Sequence, residues 1–307
     1  MKKSIVADGS LLFVAFIWGT TFVIVQNAIA FLEPFSFNAA RFFIATVFLA
    51  GWVLLFNKSL FNTLSKPLIF RGIAIGFWLY LGYGFQTLGL LYTSSSKAGF
   101  ITGLSVVLVP VLSVFFFKQK LTVPASISVV LAVAGLYMLT IGNSFHLNVG
   151  DFFVLIGAIS FALQIILTAK YANSYPAMLL TIVQLLTVAI LSALSSLFLE
   201  NWKNIFQPAI LGKKEVWIAL IVTSLFATAI AFLAQTYFQS YTTPTRVALI
   251  FSMEPVFAAF AGLLWNNETL GARAVIGCSL ILIGMILSEL PIKQWFMKRK
   301  EKEWANF

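Results

Sequence analysis

The sequence predicts an all-α polytopic membrane protein, with ten transmembrane helices arranged as two inverted five-helix repeats around a central cavity. Three observations lead to this prediction: a very apolar composition, long runs without charge, and a polar pattern that occurs twice. Of 307 residues, 60% are hydrophobic, 16% are aromatic and only 10% are charged, whereas soluble chains average about 25% charged residues. This composition excludes an ordinary soluble domain.

The charged residues are clustered, and they leave uncharged runs near or above the roughly 20 residues that cross a hydrocarbon core as a helix. Proline, glycine and polar clusters separate these runs. The first run is too long, and too soon followed by another, for a cleaved signal peptide. We expect helical spans at 11–31, 35–56, 70–91, 98–117, 122–142, 151–171, 177–199, 215–238, 246–265 and 271–290.

A polar pattern in the first half returns in the second half 149 residues later. It consists of Gln86-Thr87, Tyr92-Thr93 and Lys97, repeated as Gln235-Thr236, Tyr241-Thr242 and Arg246. Earlier in each half the spacing is 143, which relates Asp8 to Asp151 and Arg41 to Gln184. A duplicated hydrophobic unit is typical of transporters whose site lies between the copies. We expect a first repeat at 1–143, a second at 144–290 and a basic tail at 291–307.

The distribution of positive charge predicts the orientation. Ten spans place both termini on one side, and most Lys and Arg residues, including those of the tail, fall on that side. This bias predicts a multi-pass inner-membrane protein with both termini cytoplasmic. The net charge of +10 is then a topology signal that also attracts membrane lipids, rather than a nucleic-acid footprint. Because each repeat holds an odd number of spans, the second copy must enter the membrane inverted.

Four short motifs carry a family resemblance over roughly residues 8–290. They are Trp18-Gly19, Asn38-Ala39-Ala40-Arg41-Phe42, Glu254-Pro255-Val256-Phe257-Ala258 and Asn267-Glu268-Thr269-Leu270. With the ten spans and the duplication, they resemble the EamA family of the drug/metabolite transporter superfamily. The resemblance implies a ten-helix inverted-repeat fold and a carrier that commonly exports metabolites, amino acids or toxic compounds. One departure is Lys120, which stands where the second half has Glu268, although the family often has an acid in both copies.

Glu254 is the candidate coupling or gating residue, together with Pro255 and Pro110. An ionised carboxylate at the membrane centre costs at least about 2.5–3.5 kcal/mol. This cost favours the protonated form, as is expected of a group that loads and releases a proton. Pro255 has no N–H to donate to the carbonyl of Phe251. Pro110 likewise lacks this helical donor in the related fourth span. The alternative is that Glu254 makes a fixed bond or salt bridge with Arg41 or Arg246.

The candidate substrate-binding residues are polar or aromatic side chains that recur at helical spacing within the apolar spans. A lipid-facing amide would have no partner, so these side chains should either line a cavity or bond neighbouring helices. Arg41 could attract a carboxylate with its planar fork or extend to the headgroups. Lys97 and Arg246 are expected to be interfacial anchors and orientation markers, with gate roles as the alternative. The set is Trp18, Arg41, Trp78, Gln86, Gln164, Gln184 and Gln235.

No cofactor or metal site and no catalytic set is predicted. The sequence has no phosphate-binding loop, and its single His146 and single Cys278 allow neither a metal cluster nor a Cys/His pair. We therefore expect a secondary carrier of small organic solutes, acting as a monomer or homodimer, with or without exchange for protons. The alternatives are an uptake carrier, a membrane sensor or scaffold that binds without transport, and an intramembrane enzyme.

Overall fold

The computed structural model describes residues 2–93, 95–118, 122–140, 148–265 and 271–289, and the regular structure within these ranges is helical. Two apolar helices, Val123–Met138 and Ala272–Leu287, are shorter than a full span. By length and composition, seven other helices can cross a membrane: Ser4–Ala28, Pro34–Phe56, Lys66–Gly89, Lys97–Phe117, Val149–Tyr171, Ala177–Leu199 and Lys214–Tyr241. The chain is a polytopic membrane protein.

The first half opens with three continuous helices, α1 (Lys2–Ala28), α2 (Pro34–Phe56) and α3 (Lys66–Gly89). Proline stands in the first turn of α2 and of α3, where its missing N–H removes no helical bond. The Ser65 side chain accepts a hydrogen bond from the amide of Leu68 and so caps α3. Both α1 and α3 begin before the predicted positions 11 and 70.

The fourth predicted span, 98–117, corresponds to the spanning helix Lys97–Phe117, which contains a turn. It consists of α4 (Ser95–Gly103) and α5 (Ser105–Phe117), separated by a turn at Leu104. The amide of Leu104 is shared between the carbonyls of Phe100 and Ile101 at 3.2 Å. The fifth predicted span is α6 (Val123–Thr140).

The second half begins with two continuous helices, α7 (Val149–Tyr171) and α8 (Ala177–Leu199), followed by the short α9 (Pro208–Leu211). Asn148 and Asp151 form a reciprocal capping box that fixes the start of α7, because each side chain satisfies a backbone amide of the other.

The eighth and ninth predicted spans are also interrupted. The eighth consists of α10 (Lys214–Ser224), a π-helical segment at Leu225–Ile230 and α11 (Ala231–Phe238). The ninth consists of α12 (Pro244–Phe251) and α13 (Glu254–Trp265), with a turn at Ser252 and Met253 between them. The last described helix is α14 (Ala272–Glu289).

Contacts between the halves dominate the packing. Helix α3 packs against α7 and α8, α2 against α8, and α6 against α14. Helix α1 packs against α12 and α13, as α7 packs against α4 and α5. Glycines permit the closest approaches: a Cβ on Gly76 would lie 2.6 Å from the carbonyl oxygen of Gln184, and one on Gly135 would lie 2.6 Å from that of Gly277.

Large apolar side chains remain exposed on the outside of the bundle, for example Phe43, Leu55, Phe70 and Phe198. In water such a surface would be unstable, but lipid tails cover it without cost. The polar side chains lie inside, where the site is formed.

Candidate functional site

A cavity lies between the halves of the chain and is lined by residues of both. Its walls come from α1, α3, α4, α5, α7, α11, α12 and α13. The aromatic part of the lining is Trp18, Tyr83, Phe161, Phe232 and Phe251, and the polar part is Gln86, Thr102, Ser105, Gln164, Gln235 and Glu254.

A second cavity adjoins the first and shares four lining residues with it. The additional polar lining comes from Thr21, Arg41 and Thr87. The shared residues are Trp18, Tyr83, Gln86 and Glu254. Arg41 and Glu254 therefore line one cavity.

Two of the three interrupted spans, the fourth and the ninth, meet at the cavity. The turn at Leu104 and the turn at Ser252-Met253 fall at positions related by the repeat spacing, since Met253 follows Leu104 by 149 residues. Thr102 and Ser105 flank the first turn, while Phe251 and Glu254 flank the second, and all four line the cavity. Interrupted helices in corresponding positions of two halves are a general indicator of a transporter binding site.

The aromatic walls form a connected set of ring contacts. Ring centroids of Trp18 lie 4.9 Å from Phe251 and 5.3 Å from Phe232. Tyr83 lies 5.1 Å from Phe161, edge to face. Rings in this arrangement hold one another in position, so the cavity has a preformed apolar wall.

The π-helical segment supplies a backbone acceptor inside the bundle. The amide of Ala231 donates to the carbonyl oxygens of Phe226 and Thr228 and not to that of Ala227. The indole Nε1 of Trp18 donates to the Ala227 carbonyl oxygen at 2.8 Å. Such π-helical turns occur frequently at functional sites.

The Arg41 side chain is buried, with only 3% of its surface exposed. Its Nε donates to the Thr228 hydroxyl at 2.6 Å, and its Nη2 lies 3.4 Å from the Ala227 carbonyl oxygen. The guanidinium carbon lies 4.8 Å from the ring centroid of Tyr83, a cation–π contact. The interpretation that Arg41 extends to the headgroups is therefore wrong.

Glu254 begins α13 and faces both cavities, half-buried. Among the described residues there are two ion pairs, and neither includes Glu254, so the expected alternative of a salt bridge to Arg41 or Arg246 is wrong. Gly19 of α1 lies directly against the Glu254 backbone, where a Cβ would overlap the Glu254 carbonyl oxygen. The Trp18-Gly19 motif thus brings α1 against the start of α13.

Three of the predicted amides lie at the cavity and bond across helices. Gln235 Nε2 donates to Gln164 Oε1 at 3.2 Å, which joins α11 to α7. Gln86 Nε2 donates to the Thr102 hydroxyl at 2.9 Å, which joins α3 to α4. These amides line the cavity and also bond neighbouring helices.

Three predicted residues lie away from both cavities. Trp78 is half-buried and contacts the ring of Phe77. Gln184 is fully buried and donates to Thr236 at 3.0 Å, so it joins α8 to α11. Pro110 lies inside α5, whereas Pro255 lines the first cavity.

Lys97 and Arg246, the two expected interfacial anchors, each form an ion pair. Lys97 Nζ lies 2.5 Å from Asp151 Oδ2, and Arg246 Nη2 lies 2.8 Å from Asp8 Oδ2. Each pair joins one half of the chain to the other.

Other predicted features fall outside the described residues, namely Lys120, His146, Glu268 and the tail at 291–307. No cluster of three or more His, Cys, Asp or Glu side chains suited to a metal ion occurs in the part of the chain that the structure describes.

Sequence reasoning missed Tyr83, Phe161, Phe232 and Thr102. Tyr83 precedes Gln86 by three residues and so lies on its helix face, a spacing that could have identified it. The others carry no signal beyond their apolar or hydroxyl character.

Apolar spanning helices around an internal cavity with aromatic and polar walls define the class of protein: a polytopic membrane protein. The model of the EamA-like transporter family matches residues 6–141 and again residues 148–290. The chain belongs to this family. It is a membrane transporter, and its family implies a small-molecule substrate.

Named relatives agree with this assignment, and a solved structure shares the fold. An Archaeoglobus fulgidus protein named as an uncharacterized transporter is 35% identical over 94% of this chain and 88% of its own length. A WAT1-related chloroplast protein of Arabidopsis thaliana is 24% identical over 90% of this chain and 67% of its own length. A solved structure described only as a crystal structure of a protein superposes with a TM-score of 0.77 at 18% identity, covering 92% of this chain and 95% of that one. The last likeness concerns the fold alone.

Proposed function

We propose that the chain is a secondary carrier that exports small organic solutes by alternating access, and that its preferred solutes are zwitterions such as amino acids. The observation that supports this is the position of Arg41 and Glu254 in the lining of one cavity. A guanidinium attracts a carboxylate and can bond it with two N–H groups, and a carboxylate attracts an ammonium. The aromatic walls beside them suit the apolar part of the same solute.

Two inverted five-helix repeats, at 1–143 and 144–290, would supply the alternating access. The reciprocal packing supports this division, since α1 meets α12 and α13 as α7 meets α4 and α5. The matched helix breaks at Leu104 and Met253 support it as well. Two such repeats can exchange conformations and so open the cavity to one membrane face and then to the other.

The charge distribution supports an inner-membrane orientation with both termini cytoplasmic, because Lys and Arg concentrate on that side. Glu254 is the group that would exchange a proton for the solute. It lies at the cavity and is free of an ion pair with any described residue. An imposed membrane potential supplies about 2.3 kcal/mol per charge per 100 mV, which suffices to drive export against a substantial gradient.

The proposal is tested by overproducing the protein in cells, comparing their intracellular and extracellular metabolites with those of an empty-vector strain, and reconstituting the purified protein with the solutes that change. We expect amino acids or similar zwitterions to leave the cells faster, and to show saturable flux in proteoliposomes. Faster accumulation inside the cells would indicate uptake. Binding without flux for a broad solute panel would contradict a carrier and favour a sensor or scaffold.

A further inference from the structure

The two ion pairs are one arrangement made twice. Arg246 follows Lys97 by the repeat spacing of 149, and Asp151 follows Asp8 by the spacing of 143. Lys97 of the first half pairs with Asp151 of the second, while Arg246 of the second half pairs with Asp8 of the first. The second ion pair therefore repeats the first, with the two halves exchanged.

The ion pairs lie at opposite ends of the helix bundle. Asp8 lies near the beginning of α1, whereas Lys97 lies near the beginning of α4. Three long helices, α1, α2 and α3, separate them along the chain. Each of these helices runs from one end of the bundle to the other. After three such crossings, the chain is at the end opposite to Asp8.

The two ends differ in how completely the carboxylate is bonded. Both oxygens of Asp151 are used: Oδ1 accepts from the Thr93 hydroxyl at 2.7 Å, and Oδ2 accepts from Lys97 and from the Asn148 amide at 2.8 Å. At the other end, Arg246 and the Ser4 hydroxyl both bond Asp8 through Oδ2.

A hydrogen bond made at the first end is missing at the second. Thr242 follows Thr93 by 149 residues, so it is the residue expected to donate to Asp8 Oδ1. Among the described residues, neither the buried Thr242 hydroxyl nor Asp8 Oδ1 has a hydrogen-bond partner. Buried polar atoms without a partner are costly, and these two could satisfy each other.

We propose that Lys97–Asp151 and Asp8–Arg246 are the two gates of the transport cycle, both closed here, and that the Asp8–Arg246 gate is the one that opens first. Thr93 and Thr242 are the positioning residues that complete each closed gate. The Thr242–Asp8 hydrogen bond forms when the Lys97–Asp151 gate opens, so that one fully bonded gate is present at each stage. This inference rests on the proposed alternating access.

The test measures access to the cavity and needs no substrate. Ser105 lines the cavity, and Ser105→Cys in a Cys278→Ala background provides one reporter thiol. Its labelling by a membrane-impermeant maleimide is followed in vesicles of each orientation. We expect Asp8→Asn to raise the labelling rate at least fivefold from the Asp8 face, and Asp151→Asn to raise it at least fivefold from the other face.

The threonines supply a matched comparison. Thr93→Val removes a bond present in this conformation, so labelling from the Lys97 face should rise several-fold. Thr242→Val removes none, so the rate should stay within about twofold of the parent. In the Asp151→Asn background, where the Thr242 bond is expected to form, Thr242→Val should raise labelling from the Asp8 face.

Unchanged labelling from both faces in Asp8→Asn and Asp151→Asn, or a rise from the same face in both, overturns the proposal. If a single variant does not fold, each ion pair is replaced by a pair of cysteines. A short bifunctional thiol reagent then cross-links the two cysteines of a pair. Each cross-link must block labelling from its own face only. Normal solute flux with unchanged labelling would refute the gates alone. Altered labelling without flux for any solute would instead refute the carrier.

Discussion

The Nε atom of Arg41 lies 2.6 Å from the hydroxyl oxygen of Thr228, and this contact joins the first half of the chain to the π-helical segment of the second. The same segment presents the Ala227 carbonyl oxygen to Trp18 and to Arg41. The guanidinium is thus fixed by neutral acceptors, and no carboxylate among the described residues neutralises it. Its charge is available to a solute that enters the cavity.

Replacing Arg41 by lysine should weaken solute binding, because an ammonium cannot reproduce the planar fork that bonds both Thr228 and a carboxylate. Hydrogen bonds to charged groups contribute about 1.5–3 kcal/mol, so we expect KM for a carboxylate-bearing solute to rise roughly ten- to a hundredfold. Transport kinetics in proteoliposomes measure this. Arg71→Lys, at an exposed arginine over the Tyr171 ring, is the control and should leave KM unchanged.

Replacing Glu254 by glutamine should remove the response of transport to a pH gradient, because the amide cannot load or release a proton. The parent protein should export faster when the proton concentration is higher on the side opposite the solute, and the variant should export at the same rate with or without that gradient. Initial rates at several imposed gradients give the result. Glu215→Gln changes an exposed acid and should retain the parent response; an unchanged response in Glu254→Gln would remove this residue from proton coupling.

Replacing Gly19 by alanine should destabilise the protein, because the new methyl group would overlap the carbonyl oxygen of Glu254 and lie 2.8 Å from Cβ of Phe257. Overpacking of this kind costs about 1–3 kcal/mol. Thermal unfolding in detergent should show a lower midpoint. Gly9→Ala, in the same helix with no atom within 4 Å of the added Cβ, is the control, and equal midpoints for both variants would contradict the close contact.

Replacing Trp18 by phenylalanine removes the N–H that bonds the Ala227 carbonyl oxygen. The loss of one buried hydrogen bond costs about 1 kcal/mol, and the unsatisfied oxygen would compete for Arg41. We expect a lower unfolding midpoint together with a higher KM. Trp52→Phe alters a tryptophan that is 51% exposed on the outside of the bundle, and it should change neither quantity.

Much of the fold could be predicted from the sequence, because apolar length and polar punctuation determine where a helix spans lipid. The predicted spans 35–56 and 177–199 differ by one residue at most from α2 and α8. Pro255 marks the interruption at Ser252-Met253, because it cannot donate to the carbonyl of Phe251, but the other two interruptions could not be predicted in the same way. Leu104 has no proline or glycine that explains a turn, since Gly103 is helical, and the π-helical segment depends on the partners that Trp18 and Arg41 provide across the bundle.

The site was predicted in part. Gln86 and Trp78 belong to one stripe with a spacing of four residues, but each step of four rotates about 40° around the helix. Gln86 and Trp78 are therefore about 80° apart, and Gln86 faces the cavity while Trp78 does not. Likewise, the charges of Lys97 and Arg246 were evident, whereas their acidic partners come from the other half of the chain.

The central claim is that a zwitterion binds between Arg41 and Glu254 and crosses by alternating access. Counterflow in proteoliposomes tests it most directly, with an amino acid identified by the metabolite screen, its methyl ester and its N-acetyl derivative as the three internal solutes. The account predicts that the free amino acid accelerates entry of labelled amino acid at least tenfold more than either derivative, since each derivative lacks one of the two charges. Equal acceleration by all three solutes would contradict it.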